Sequence, residues 1–151
     1  MLEFAIWLSE TKWSIALHES LYLYPWIEST HVLSICLFFG TLLFVDLRLT
    51  GKVFNNLSVV DMNRKVLPLT LFGFLVMSVT GLLLFYAIPV RNYQNIFFRI
   101  KILLIVIAGI NAFFFHRRMS KEAKVWDQDS SIPSSMKNRA ITSLVLWSSV
   151  I

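Results

Sequence analysis

The chain has 151 residues, of which 56% are hydrophobic and 15% charged, and its formal net charge is +5. A soluble domain carries about 25% charged residues, so the composition, with a mean hydropathy of +0.66, excludes an ordinary water-soluble globule and points to lipid as the solvent. In that setting the basic excess reads as loop Lys and Arg that orient a membrane protein rather than as a nucleic-acid surface, and the single cysteine, Cys36, excludes an intrachain disulfide or a CxxC metal pair.

The start, "MLEFAIWLSETKW", lacks the basic residues and cleavage site of a secretory signal, so the first span is expected to act as the insertion signal. Residues 1–24 alternate short apolar groups with Glu3, Glu10, Lys12, His18 and Glu19, and intersperse Trp7, Trp13, Tyr22 and Tyr24. No run there reaches the roughly 20 apolar residues of a span. The pattern predicts one or two short amphipathic helices lying at the membrane interface on aromatic anchors. Pro25 then opens the first span, about 26–49, with Gly51 and Asn55-Asn56 as the turn after it. The second span is expected over 66–88 with Pro68 in its first turn, the third over 96–116 after a short "PVRNYQN" loop. A polar connection leads to "AITSLVLWSSVI", which reads as a fourth span, 139–151, shown incompletely. The expected architecture is a single all-α domain, an integral-membrane four-helix bundle with an N-terminal interfacial helix.

Loop charge sets the orientation. Lys52, Arg64 and Lys65 in the first loop and Arg117, Arg118, Lys121, Lys124, Lys137 and Arg139 in the third outweigh Arg91 in the second. The first and third loops are therefore expected in the cytoplasm, and the N-terminus and second loop outside.

This topology gives each ionisable residue a depth. Charged groups at bilayer depth cost a few kcal/mol, so they face protein, water or a bound group. Glu28 and His31, one turn apart on the first span, lie near its outer end with Arg99 and Lys101 of the third, and His18 joins them where the surface segment folds back. Asp46, Arg48, Asn111 and His116 form an inner layer. His31 and His116 differ in depth by about 22 Å at the helical rise, which excludes them as two ligands of one haem.

The outer layer suits a cofactor. Imidazole is a common axial ligand of haem iron, with His31 as one ligand and His18 or a residue of the continuing fourth span as the other, and Arg99 and Lys101 match haem propionates. A quinone head beside His31 or Lys101 is the related possibility. The plainer reading is a network in which Glu28, His31, Arg99 and Lys101 neutralise one another. The Glu28-x-x-His31 spacing also occurs on di-iron helices, but those sites need a second such motif. In the inner layer, Asp46 and Arg48 pair across to His116 or Arg117 and fix register, or Asp46 and His116 form a proton relay. There is no G-x-S-x-G, H-E-x-x-H or phosphate-cradling loop, and catalysis by the isolated chain is not expected.

The strings "ESLYLYPWIESTHVLSICLFFGTLLFVDLRLTG", "TLFGFLVMSVTGLLLF" and "FFRIKILLIVIAGINAFFFH" resemble the three main motifs of a bacterial four-span inner-membrane family of unassigned function. That family is distantly similar to small membrane b-type cytochromes and copper-resistance membrane domains. The resemblance implies four helices and a fourth span continuing past Ile151. Together with the residues it leads to an expected membrane subunit that binds haem b or quinone and serves electron transfer or anchoring beside membrane or periplasmic redox subunits. The rivals are a cofactor-free accessory subunit, which could also be oligomeric, and a small proton- or solute-conducting module.

Overall fold

The computed structural model describes residues 2–51, 53, 54, 56–128 and 133–151, apart from the side chains of 116 and 118–128. The described residues are helical throughout, in seven pieces: α1 (Leu2–Ser9), α2 (Lys12–Glu19), α3 (Leu23–Leu49), α4 (Val59–Ala87), α5 (Pro89–Gln94), α6 (Ile96–Gln128) and α7 (Ser134–Val150). Three of them, α3, α4 and the Ile96–Phe115 part of α6, are long and apolar enough to cross a bilayer.

Local chemistry sets the ends. Gly51, at φ 73°, takes the left-handed position that stops α3, and the Thr50 N–H returns to the Asp46 carbonyl at 3.1 Å. Ser58 then opens α4, its hydroxyl accepting from the Asp61 N–H at 3.1 Å. This cap starts α4 seven residues before the expected span, so Pro68 lies inside the helix rather than in its first turn. The helix runs through it because the packed neighbour and nearby side chains compensate one lost N–H in such spans. The "PVRNYQN" loop is mostly the short helix α5, with Pro89 at its first position. α6 likewise runs past the expected 116 into the polar segment as far as Gln128.

The tightest pairing is α3 with α4. His31 faces Thr80, Phe38 faces Gly73 and Thr41 faces Thr70. The residue numbers of each facing pair have the same sum, so the antiparallel register holds from Thr70 to Thr80 without a skip. A Cβ on Gly73 would come within 3.0 Å of the Phe38 nitrogen and 3.2 Å of its Cα, so glycine is what lets the backbones approach. α7 packs on α3 and α6, and α6 also meets α4, which closes a ring in the order α3, α4, α6, α7. Two buried clusters fill it: Val45, Leu49, Val59, Met62, Met136 and Ala140 at one end, and Phe38, Ala108, Trp147 and Val150 nearer the middle.

The N-terminal helices are anchored at the far end of α4. Ser14 is buried and donates to the Tyr86 carbonyl at 2.8 Å. Thr11 gives its hydroxyl hydrogen to Leu8 O at 2.7 Å, so the Tyr86 phenol donates to Thr11 Oγ1, also at 2.7 Å. Trp7, Trp13, Tyr22 and Trp26 stay exposed around this end.

Gly73→Ala is expected to destabilise the bundle by about 1–3 kcal/mol through overpacking against the α3 backbone. Gly40→Ala, whose added methyl meets nothing within 4 Å, should be neutral or slightly stabilising. Unfolding of both variants in detergent, followed by circular dichroism, makes the comparison.

Candidate functional site

Two layers of polar residues lie on α3, and the α3–α4 register decides what each one meets. At the outer layer, His31 Nδ1 lies 2.9 Å from Thr80 Oγ1. Thr80 gives its own hydrogen to the Val76 carbonyl at 2.7 Å, so its oxygen accepts and Nδ1 carries the proton. The ring also hydrogen-bonds the Met77 carbonyl and lies within electrostatic reach of Lys101. Gly81 makes room for it: a Cβ there would stand 3.1 Å from His31 Cε1. With Nδ1 committed, Nε2 keeps a free lone pair for an iron or a hydrogen-bond donor.

The rest of the expected outer cluster disperses. Arg99 donates to Tyr93 O at 2.9 Å and stacks on the Tyr93 ring at 4.7 Å, because it stands two positions from Lys101 and so on another face. Glu28 is exposed. The His18 ring packs edge-on against Tyr24 at 6.2 Å, about two turns of α3 before His31. No group of three or more His, Cys, Asp or Glu able to hold a metal occurs among the described residues.

In the inner layer, Asp46 is buried on α3, and Ser143 of α7 is its side-chain hydrogen-bond partner. Arg48 turns away and donates from Nε to Leu57 O at 2.7 Å, tying down the loop after α3. Residues two apart do not share a helix face, so no Asp46–Arg48 unit forms. Asn111 donates to Arg139 O at 3.3 Å and joins α6 to α7. Arg117 lies over the Phe113 ring at 5.0 Å. The His116 side chain falls outside the described residues, and with it the expected pairing or relay with Asp46.

Asp46 and Asn111 do share something larger. A chamber of about 400 Å³ sits at the centre of the helix ring and reaches all four long helices. Its α3 wall is Phe38, Leu42, Val45 and Asp46, and its α4 wall includes Asn63, Leu67, Thr70 and Phe74. Each set repeats at three or four residues, so one face of each helix forms a wall. Ser143 and Trp147, one turn apart, complete it from α7.

The walls are graded along the chamber. Phe38 meets Trp147 edge-on at 4.7 Å and Phe74 at 5.5 Å, which makes a continuous aromatic surface. Asp46, two turns further along α3, marks a polar end. Among the described residues, Asp46 Oδ2 and Trp147 Nε1 are buried with no hydrogen-bond partner. Groups left in that state cost about 1–3 kcal/mol each and call for an explanation.

The chamber also reaches the outer face of the bundle. α4 and α6 meet at the ends joined by α5, where Phe85 stacks on Phe98 at 5.5 Å. Further from α5, the chamber-lining Leu71, Phe74 and Phe113 are exposed.

Residues 19–151 match the family described as "Family of unknown function (DUF6644)". No curated protein and no solved structure matches the chain.

Replacing Thr80 with Val removes the acceptor that holds the His31 proton on Nδ1. Nitrogen NMR on histidine-labelled protein at alkaline pH should show the Nδ1–H tautomer at His31 in the unaltered chain and a shift toward Nε2–H in Thr80→Val. An unchanged tautomer in the variant would mean that the Met77 carbonyl alone suffices.

Proposed function

As the chain belongs to the DUF6644 family, whose function is unknown, its role has to be argued from its own residues, and we propose that it is a bacterial inner-membrane subunit that holds a quinone-class molecule in the central chamber. In this reading it serves electron transfer or anchoring in a respiratory-type assembly. The N-terminus and α5 face the periplasm, and the loops after α3 and α6 face the cytoplasm, as the distribution of Lys and Arg requires. α7 acts as the fourth span.

The observation that carries the proposal is the chamber itself. Its volume, about 400 Å³, falls in the range of small-ligand sites, which are mostly apolar with a few placed polar groups. The aromatic surface of Phe38, Phe74 and Trp147 favours a flat ring by offset or edge contacts. Asp46, Asn63 and Asn111 supply the polar groups that orient such a ring. The exposed Leu71, Phe74 and Phe113 give an apolar tail a way out between α4 and α6 into lipid. Bound there, a quinone-class ligand would supply reversible two-electron, two-proton chemistry. This reading moves the quinone from the His31 layer to the Asp46 layer, since it is at Asp46 that an unfilled hydrogen bond and a ring-sized space coincide.

A haem b ligated through His31 Nε2 is the second reading, favoured by the Nδ1–H tautomer that Thr80 imposes. His31 fits as one ligand, and the His18 ring, packed on Tyr24, would have to leave that contact to become the other.

Solvent extraction and mass analysis of the chain purified in a mild detergent should recover a quinone at near-stoichiometric amounts. Gly109 lines the chamber, and a Cβ added there meets nothing within 4 Å. Gly109→Phe should therefore cut the recovered quinone by about tenfold or more while the helical content is kept. Recovery equal to that of the surrounding lipid extract would reject the quinone reading. For haem, a Soret band lost in His31→Ala and kept in His116→Ala is the expected pattern, and no Soret band in the unaltered protein would eliminate it.

A further inference from the structure

We propose that the inner end of α6 and α7 carries a binding surface for an anionic phospholipid, formed by Arg117 and Arg139 over the rings of Phe113 and Phe114. This goes beyond the chamber reading and does not depend on what fills the chamber. Arg117 lies over the Phe113 ring at 5.0 Å and Arg139 over the Phe114 ring at 5.7 Å, and the two rings meet edge-on at 5.8 Å. Charge, ring, ring and charge thus form one row with no link longer than 5.8 Å.

The two guanidinium groups reach this row from opposite directions. Arg117 stands beyond the apolar stretch that ends at Phe115, and its side chain leans back one turn to Phe113, as long side chains on a helix do. Arg139 starts deeper. Asn111 holds its backbone carbonyl at 3.3 Å, and its guanidinium has advanced to the level of Phe114, three residues nearer the end of the apolar stretch. Such snorkelling brings both charges to one depth, where acyl chains give way to headgroups.

Like charges drawn to one level at the edge of an apolar layer are stabilised by a counter-anion. Among the described residues, neither guanidinium pairs with a carboxylate or donates a hydrogen bond. Arg48 and Arg99, by contrast, each spend an N–H on a backbone carbonyl. A ring face draws the charge but leaves the planar fork of N–H donors free, and that fork matches phosphate oxygens. Phe113 and Phe114 are 57% and 50% exposed, and they offer acyl chains an apolar surface directly beneath the phosphate. A phospholipid with a net negative charge meets both halves of this surface. A zwitterionic lipid brings a cation alongside its phosphate, and a soluble phosphate leaves the rings uncovered.

The test uses the full chain in lipid nanodiscs that contain phosphatidylglycerol and phosphatidylcholine with identical acyl chains. Native mass spectrometry reads which lipid the released protein retains. Phosphatidylglycerol should be retained at least about fivefold over phosphatidylcholine, the factor that one basic residue contributes at a membrane surface. Arg117→Lys combined with Arg139→Lys keeps the net charge but removes the planar forks, and should bring the two lipids close to equal retention. Phe113→Leu combined with Phe114→Leu leaves every charge in place and should do the same. Arg64→Gln removes an exposed charge of α4 outside the row and should leave the preference unchanged. Equal retention by the unaltered chain, a preference untouched by the lysine pair, or an equal fall in Arg64→Gln overturns the proposal. So does displacement of the lipid by excess glycerol phosphate, which would make this a site for soluble phosphate. Should the leucine pair fail to fold, the lysine pair and Arg64→Gln still decide the matter.

Discussion

Everything specific in this bundle depends on how closely α3 and α4 approach at Gly73. With no side chain there, the Phe38 backbone sits where a Cβ would otherwise be, at 3.0 Å, and the two helices lock into one antiparallel register. That register sets His31 on Thr80 and Gly81 at one end and aligns Phe38, Leu42, Val45 and Asp46 with the chamber face of α4 at the other. A slip by one residue would rotate those side chains by about 100° around the helix and dissolve both arrangements. The hydroxyl pair Thr41–Thr70 lies between the two layers and resists such a slip by a direct interhelical bond.

The membrane environment explains why polar residues are so carefully placed. In lipid, a backbone or side-chain polar group has no water to fall back on. Most of those on α3 and α4 are therefore spent locally: Thr30, Thr41, Ser34, Ser78 and Thr80 all donate to carbonyls three or four residues earlier. Against that economy, Asp46 Oδ2 and Trp147 Nε1 stand out among the described residues as buried atoms with no hydrogen-bond partner around a single cavity.

Much of this was visible in the amino-acid order, and the remainder was not for identifiable reasons. Runs of about 20 apolar residues announce α3, α4 and α6 without ambiguity, and an ionisable residue such as Asp46 in a span is conspicuous by itself. The start of α4 was also legible in principle, since "SVVD" places Ser58 three residues before Asp61, a capping spacing. What cannot be seen in one dimension is azimuth between helices. Asp46 and Arg48 read as members of one inner layer by proximity in sequence, yet they diverge to Ser143 and Leu57 because they point in different directions. Arg99 and Lys101 part for the same reason. Trp147 and Asn63 gave no signal at all, as a tryptophan in an apolar run and an asparagine before a span are ordinary until a cavity is known to join them. The docking of α2 depends on Ser14 and Thr11, small residues whose meaning comes from Tyr86 alone.

The length of α6 has a mechanical consequence. Its 33 residues make an uninterrupted rod of about 50 Å, of which some 30 Å fits the hydrocarbon layer. The remaining 20 Å or so projects as a lever beyond the bilayer, and Gly109 to Phe115, which line one side of the chamber, lie near its fulcrum. The Asn111–Arg139 bond ties α7 to the same stretch of the rod.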